Sequence, residues 1–339
     1  MTILFFSRLF YPHIGGVEKH VMETGKRLVK MGHTVIVVTE YSEKGSKSRE
    51  VVNGITIYRI SAGPHNRLKK FRIWGEIWKL RNLIRDADIV HCHDVFFWYL
   101  PFRLLFPGKH VYTTFHGYEG YPIPKKTILI RKISEKLSRG NICIGDFIKK
   151  WYGTQPSFVS YGAVDSANGK WQMANGKWHS AVFIGRLDEQ TGILTYAKAV
   201  EIVKKHVPGF DFLIVGDGRY KNRVSKIGKT IGFKSNPEKY FRRYHFAFVS
   251  RYLSILEALA ARRLVFAVYD NPLKEDYLKM APFAKFIVIA GDEIALSEKI
   301  AYYIKQSNEE RKLIKEGYQW AGQQTWEKLV DTYLTLWRK

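Results

Sequence analysis

Cysteine, acidic side chains and long apolar runs are all scarce in this chain of 339 residues. Only Cys92 and Cys143 are present, too few for a disulfide framework or a cysteine zinc site. Both read as small buried hydrophobes, and a reducing compartment suits such a chain. No stretch approaches the roughly 20 apolar residues that a spanning helix needs, so any membrane contact is expected to be peripheral. The run from Thr2 to Phe6 is too short for a signal peptide, lacks a cleavage site and reads as a first strand. Acidic residues number 31 against 55 Lys and Arg, which leaves a formal charge of +24. Such a field attracts phosphate as nucleotide, nucleic acid or anionic lipid, and does not separate the three.

What is abundant points to a folded chain of two parts. Apolar residues make up 46% and aromatic residues 15%, more burial than a solvating, disordered chain carries. The length exceeds what one core usually fills, and two domains are expected. Short β-rich runs recur at Thr2 to Phe6, Thr34 to Thr39, Ile55 to Ile60, Ile89 to His93, His110 to Phe115, Asn141 to Ile144 and Ser157 to Tyr161. A second series follows at Ala181 to Ile184, Phe210 to Val215, Phe246 to Val249, Leu264 to Val268 and Phe286 to Ile289. Helix-like segments separate most of them, the pattern of two parallel, doubly wound α/β sheets. Ligands of such sheets sit beyond the carboxyl ends of the strands, so the residues that follow each run are the candidates for function.

The expected domains are 1–165 and 180–324, joined by a linker over 166–179. In that linker Ala-Asn-Gly-Lys-Trp occurs twice, at 167–171 and 174–178, and Asn-Gly is a turn former. An amphipathic helix over 325–339 is expected to cross back onto the first domain.

Several post-strand residues carry chemistry. Gly15 and Gly16 follow the first strand and precede an amphipathic helix, where backbone amides can approach an anion. Gly216 and Gly218 repeat the pattern but lack the third glycine of a dinucleotide fingerprint, which disfavours a dehydrogenase. Arg186 ends a strand, a fitting place for a planar fork that grips a diphosphate. Ser254-Ile-Leu-Glu257 before an apolar stripe reads as a capping box, with Glu257 reaching back to the cap. Asp86-Ala-Asp88 is only superficially a metal-binding pair, since Asp86 reads as a turn residue leading into a strand.

Taken in order, these segments resemble the GT-B retaining glycosyltransferases of family 4, the group 1 type that includes phosphatidylinositol mannosyltransferases. The likeness rests on Tyr11-Pro-His-Ile-Gly-Gly-Val-Glu-Lys-His20, Thr114-Phe-His-Gly117, Tyr161-Gly-Ala-Val-Asp165, Gly185-Arg-Leu187, Val215-Gly-Asp-Gly218 and Ser254-Ile-Leu-Glu-Ala-Leu-Ala260. The resemblance implies two Rossmann-like domains facing a central cleft, with the acceptor on the first and the nucleotide sugar on the second. It makes His116 a contact to the donor sugar near the reacting carbon, and Glu257 an acceptor from the nucleotide ribose. His116 and Arg186 become the catalytic candidates. Gly15, Gly16, Arg186, Gly216, Gly218, Arg251 and Glu257 become the donor-binding set. Two positions depart from the family pattern: Thr191 stands where a lysine is usual, and Val249 where a first glutamate is usual. Arg251 is the nearby cation that can restore the lost charge.

A basic surface completes the expectations. One helix over Arg67 to Arg85 would turn Ile73, Ile77, Leu80 and Ile84 to the core, and collect Arg67, Lys70, Phe71, Trp74 and Trp78 on another side. Tryptophan interleaved with cations suits a lipid headgroup boundary. A second helix, Lys125 to Arg139, would put Ile130, Ile133 and Leu137 on one face and Lys132 and Lys136 on the other. The expected activity is transfer of a hexose from a UDP- or GDP-sugar, with retention, to a lipid-linked or cell-envelope glycan at the cytoplasmic face of a membrane. No cofactor, metal or nucleic acid is expected. A catalytically silent scaffold and a nucleic-acid-binding protein are the rival readings.

Overall fold

A computed structural model describes the chain except for residues 14, 42–45, 65, 166–175 and 339. Contacts divide it into two compact units, Met1–Ser160 with Trp326–Lys339, and Tyr161–Thr325. Most of the linker and of its tandem repeat therefore lies outside the described residues.

The first unit is built on eight strands: β1 (Thr2–Ser7), β2 (Thr34–Glu40), β3 (Arg49–Val52), β4 (Ile55–Ile60), β5 (Ile89–His93), β6 (His110–Phe115), β7 (Gly140–Ile144) and β8 (Phe158–Ser160). Their order is β3-β4-β2-β1-β5-β6-β7-β8, parallel except for the edge pair β3 and β4. Ile3, Leu4, Phe5 and Phe6 have no exposure at all, as a central strand covered on both faces requires. Strand order reverses beside β1, so the carboxyl ends of β1 and β5 flank the switch point where ligands of open sheets settle.

The second unit has β9 (Lys177–Ile184), β10 (Asp211–Val215), β11 (Lys229–Thr230), β12 (Tyr244–Phe248), β13 (Leu264–Val268) and β14 (Val288–Ala290). The order is β11-β10-β9-β12-β13-β14, all parallel, with the reversal beside β9. Strand β9 starts four residues before the sequence run at Ala181, so the end of the second repeat copy is strand. There Trp178 packs its ring 4.6 Å from that of His245. Strands β3 and β11 escape the periodicity because one is half-exposed and polar and the other has two residues.

The helix Trp326–Trp337 belongs to the first unit. It buries Trp326, Leu329, Val330, Tyr333 and Trp337, a stripe at helical spacing, and Arg27 Nε donates to Glu327 Oε1 at 2.8 Å along its rim. The expected single helix over 67–85 is instead two, Lys69–Lys79 and Arg81–Asp86, with Leu80 at φ −99° and ψ 11° between them. Ile73, Ile77 and Ile84 are buried in one cluster across that bend, with Leu80 packed on it. Burial keeps the 3–4 spacing on both sides, so a bend at one residue leaves no mark on the pattern.

Candidate functional site

In the first unit, the carboxyl ends of β5 and β6 bring together side chains that lie far apart in sequence. His91 and His93 alternate with Cys92 and point to the same face of β5, and His93 pairs in register with Thr114. His20 joins them from the helix Gly16–Lys30, its ring 4.7 Å from that of His116 and edge-on to it. The backbone amide of His116 donates to Asp94 Oδ1 at 2.9 Å. Arg131 secures the following turn by donating to Gly117 O at 3.0 Å and to Glu119 Oε1 at 3.2 Å, its guanidinium 3.7 Å above the Tyr152 ring. Sequence reasoning singled out His116 alone. The signal for the rest was the His-Cys-His alternation at the end of a buried strand.

A hydrogen-bond chain runs through this cluster. Trp337 Nε1 has only a proton to give, and gives it to His91 Nδ1 at 3.1 Å. Neutral His91 then donates from Nε2 to Thr114 Oγ1 at 2.7 Å. The Thr114 hydroxyl stands 2.9 Å from the Tyr333 oxygen, and the Tyr333 hydroxyl 2.8 Å from His20 Nε2. Burial pushes the His20 imidazole down to about 3. His91, His93 and His116 lie well below the usual histidine range, through burial first and then their cationic or imidazole neighbours. Replacing Tyr333 by Phe removes one hydrogen-bond partner from Thr114 Oγ1 and the partner of His20 Nε2, and should cost about 1–3 kcal/mol in urea unfolding, the usual penalty for a buried polar group that loses its partner. An unchanged midpoint would mean that the chain contributes nothing to stability.

His20, His93 and His116 offer ligand atoms within 4.8 Å of one another, the one grouping of metal-ligating type among the described residues. However, His93 Nδ1 and His116 Nε2 are 2.9 Å apart and share a proton. Two nitrogens on one tetrahedral zinc at about 2.0–2.1 Å stand roughly 3.3 Å apart. The arrangement as it stands is a hydrogen bond.

Gly15 caps the helix Gly16–Lys30 with extended backbone. The carboxylate of Glu18 folds back over Gly15, so closely that a side chain there would meet its Oε2 at 2.3 Å, and it pairs with His13 Nδ1 at 3.1 Å. The amides of Gly15 and Gly16 thus stand beside a resident carboxylate. An anion would have to displace it.

The second unit places Arg186 and Arg251 after the adjacent strands β9 and β12, and both guanidiniums donate to Gln190 Oε1, at 3.3 and 2.8 Å. Asp188 Oδ2 lies 3.3 Å from Arg186 Nε. Two permanent cations converge on one neutral carbonyl oxygen, an arrangement that a dianionic phosphate would satisfy better. Thr191 is part of the same turn's frame: its Oγ1 donates to Arg186 O or Asp188 O, at 2.7 and 2.9 Å. Val249 is buried immediately after β12.

The glycines of the Val215-Gly-Asp-Gly218 turn have a structural reason different from the expected one. A Cβ on Gly216 would stand 1.9 Å from Gly185 O, and one on Gly218 2.7 Å from Leu187 O. The helix that follows has only four residues, and the amides of Gly216 and Gly218 already donate to Gly232 O and Asp217 Oδ1. These glycines let one loop lie against the backbone that carries Arg186.

The capping box at Ser254 and Glu257 is not formed: the helix Tyr252–Ala260 has its N-cap at Arg251, so Ser254 lies inside it. Glu257 sits a turn further on, half-buried, and the capping-box reading falls away. One cation went unnoticed in the sequence: Lys274 is 2% exposed, donates from Nζ to Ser250 O, and lies 4.4 Å over the Tyr277 ring. Burial, and then the nearby Arg251, hold its ammonium well below the usual lysine range. Asp86 ends a helix and pairs with Arg85, and Asp88 accepts from Thr2 N at 2.7 Å, so neither is organised for a metal.

The basic helices also differ from expectation. In Lys125–Leu137 the buried residues are Arg131 and Ser134, while Leu129, Ile130 and Ile133 are 61, 41 and 40% exposed. Arg131 takes the inward position because two aromatic rings and two acceptors receive its guanidinium. At about 100° per residue, Leu129 and Ile133 fall between Lys136 and Lys126 on the outer face. Lys132 is tied to Gly153 O and Glu135. On the other helix Lys70, Phe71 and Trp78 are exposed, as is Arg67 just before it, whereas Trp74 is half-buried and donates to Phe97 O at 2.8 Å. Its indole serves the fold.

Comparison with known proteins gives two matches in tandem. Residues 14–156 fit the model of Glycosyltransferase Family 4, and residues 172–320 that of Glycosyl transferases group 1. A phosphatidylinositol N-acetylglucosaminyltransferase subunit of Arabidopsis thaliana is 25% identical over 67% of this chain and 54% of its own length. A phosphatidyl-myo-inositol mannosyltransferase of Mycobacterium tuberculosis is 24% identical over 60% of this chain and 57% of its own. The matched region thus spans little more than half the length of these relatives. Sucrose-phosphate synthase from Thermosynechococcus elongatus superposes with a TM-score of 0.76 over 99% of this chain and 98% of that one, at 14% identity.

Proposed function

The chain belongs to the family 4 glycosyltransferases of GT-B fold, and from that premise we propose that it moves a hexose from a UDP- or GDP-sugar, with retention, onto a lipid-linked or cell-envelope glycan at a membrane surface. The observation that carries the reading is the convergence of Arg186 and Arg251 on Gln190 at the carboxyl ends of neighbouring strands. Anionic oxygens of a diphosphate would replace the carboxamide. Arg251 then supplies the second cation that Thr191 cannot. Charge that develops on the departing nucleotide meets donors already fixed in place, usually the largest single contribution to enzymatic rate enhancement. Glu257 accepts from the ribose, and His116 faces the sugar.

The test is sugar-dependent release of nucleotide across a panel of UDP- and GDP-sugars with lipid-extract acceptors, with and without chelator. Release that needs acceptor and survives chelation is the expected result. Strict dependence on added manganese or magnesium would overturn the metal-independent reading, and hydrolysis of no donor would favour the silent scaffold.

The outer face of Lys125–Leu137 supports attachment to a membrane surface. No helix of the described residues is long and apolar enough to cross a membrane. Three exposed aliphatics amid lysines have the make-up of an interfacial patch, and Phe71 and Trp78 are exposed on the helix Lys69–Lys79. Leu129, Ile130 and Ile133 together changed to Ser should weaken binding to anionic vesicles about tenfold or more, since each inserted side chain is worth on the order of 1 kcal/mol or above. Salt should release the protein as the screening length drops from about 10 Å at 0.1 M to 3 Å at 1 M. Equal binding by the triple variant in a flotation assay would remove this face from the reading.

A further inference from the structure

His93 has no part in the proposed transfer, although it touches the one histidine that does. It is 1% exposed, its Nδ1 lies 2.9 Å from His116 Nε2, and its own Nε2 is buried with no hydrogen-bond partner among the described residues. One proton occupies the line between the two rings, so two arrangements are open. If His116 donates from Nε2, neutral His93 must keep its proton on Nε2, and a buried N–H is stranded. If His93 donates from Nδ1, only a bare lone pair is stranded on its Nε2, and His116 keeps its proton on Nδ1. Buried N–H groups without an acceptor are rarer in folded proteins than acceptors left short of a donor. The second arrangement is therefore favoured, and a hydrogen bond at one imidazole nitrogen dictates what the other can do.

We infer that His93 is a positioning residue that locks His116 in its Nδ1–H tautomer, so that His116 offers the sugar a hydrogen-bond donor and not an acceptor. Its ligand would be a hydroxyl or ring oxygen of the bound hexose. The inference rests on the reading of His116 as the sugar-facing residue. The backbone around His116 is held separately, by Asp94 Oδ1 and by Arg131 at Gly117 O. His93 is left to set the proton.

Long-range 1H–15N spectra of the full chain labelled in histidine read the tautomer directly. The wild type should show His116 protonated on Nδ1, with a lone pair on Nε2. His93→Asn places an N–H where His93 has its Nδ1, and should keep that tautomer. His93→Asp, nearly the same shape, only accepts, and should move the His116 proton to Nε2. The Asn variant should then exceed the Asp variant in kcat by on the order of tenfold or more, with nucleotide affinity by calorimetry alike in both. A wild-type spectrum with His116 protonated on Nε2 overturns the inference, even if neither variant folds. If the tautomers behave as described but His116→Ala transfers sugar at the wild-type rate, the sugar-facing reading fails instead.

Discussion

Replacing Arg186 by Ala should reduce kcat/KM for sugar transfer on the order of 100- to 1,000-fold while the melting temperature stays near that of the wild type. The side chain is 67% exposed, so little packing is lost, and surface changes of that kind usually shift stability by no more than about 0.5 kcal/mol. Its catalytic contribution is different in kind, because removing one fixed donor from developing negative charge costs about 2.7–4 kcal/mol of barrier. Arg186→Lys keeps the charge and loses the fork, and should fall between. Because Arg186 and Arg251 share Gln190, the double Ala variant should lose a different amount from the sum of the single losses, as groups with a common partner do. Calorimetry with UDP and GDP locates the loss. A variant that turns over normally would remove Arg186 from the site and leave the convergence on Gln190 a surface feature.

A drop to pH 5.5 should destabilise the first unit by about 4 kcal/mol relative to pH 7.5 or above. The sign follows from proton counts. His20, His91 and His93 are buried, with imidazoles held far below 6.5, so the folded state stays unprotonated there. The unfolded chain, with ordinary histidines, takes protons up as pH falls through 6.5. More protons bound in the unfolded state means stability that rises with pH and is lost below 6.5. At one pH unit below, each such group contributes roughly 1.4 kcal/mol. Against a total stability of about 5–15 kcal/mol the combined loss is large. Urea midpoints at pH 5.5, 6.5 and 7.5 check it, and His91→Asn should flatten the slope by removing one of the three. A midpoint flat across this range would mean that the cluster admits protons in the folded state.

Parallel α/β architecture was readable because each buried strand is an apolar run between turn residues, and two such series are present. The order of those strands in space was not readable. Residues after β9 and β12 meet at Gln190 only because β12 crosses back to lie beside β9, past β10 and β11. Periodicity also failed where a cation took the inward position. Arg131 is buried because Phe115, Tyr152, Gly117 and Glu119 receive it, and a helical wheel does not contain those partners. In the same way Ser254-x-x-Glu257 had the spacing of a capping box, but the helix has its N-cap at Arg251, three residues earlier.

By itself, the sequence determined the fold class, the position of nearly every long strand, the basic character of the surface and the residues that follow each strand. Those properties are local: they come from hydrophobic period, turn chemistry and net charge, which neighbouring residues settle among themselves. Only the tertiary structure decided that Gly216 and Gly218 serve close backbone approach and that Leu129, Ile130 and Ile133 face outward. It alone brought His20, His91, His93, His116, Thr114, Tyr333 and Trp337 into one hydrogen-bonded cluster. Those are properties of contact between distant segments, set by strand order and by which buried polar group finds which partner, and burial makes each unmet hydrogen bond too costly to leave to chance.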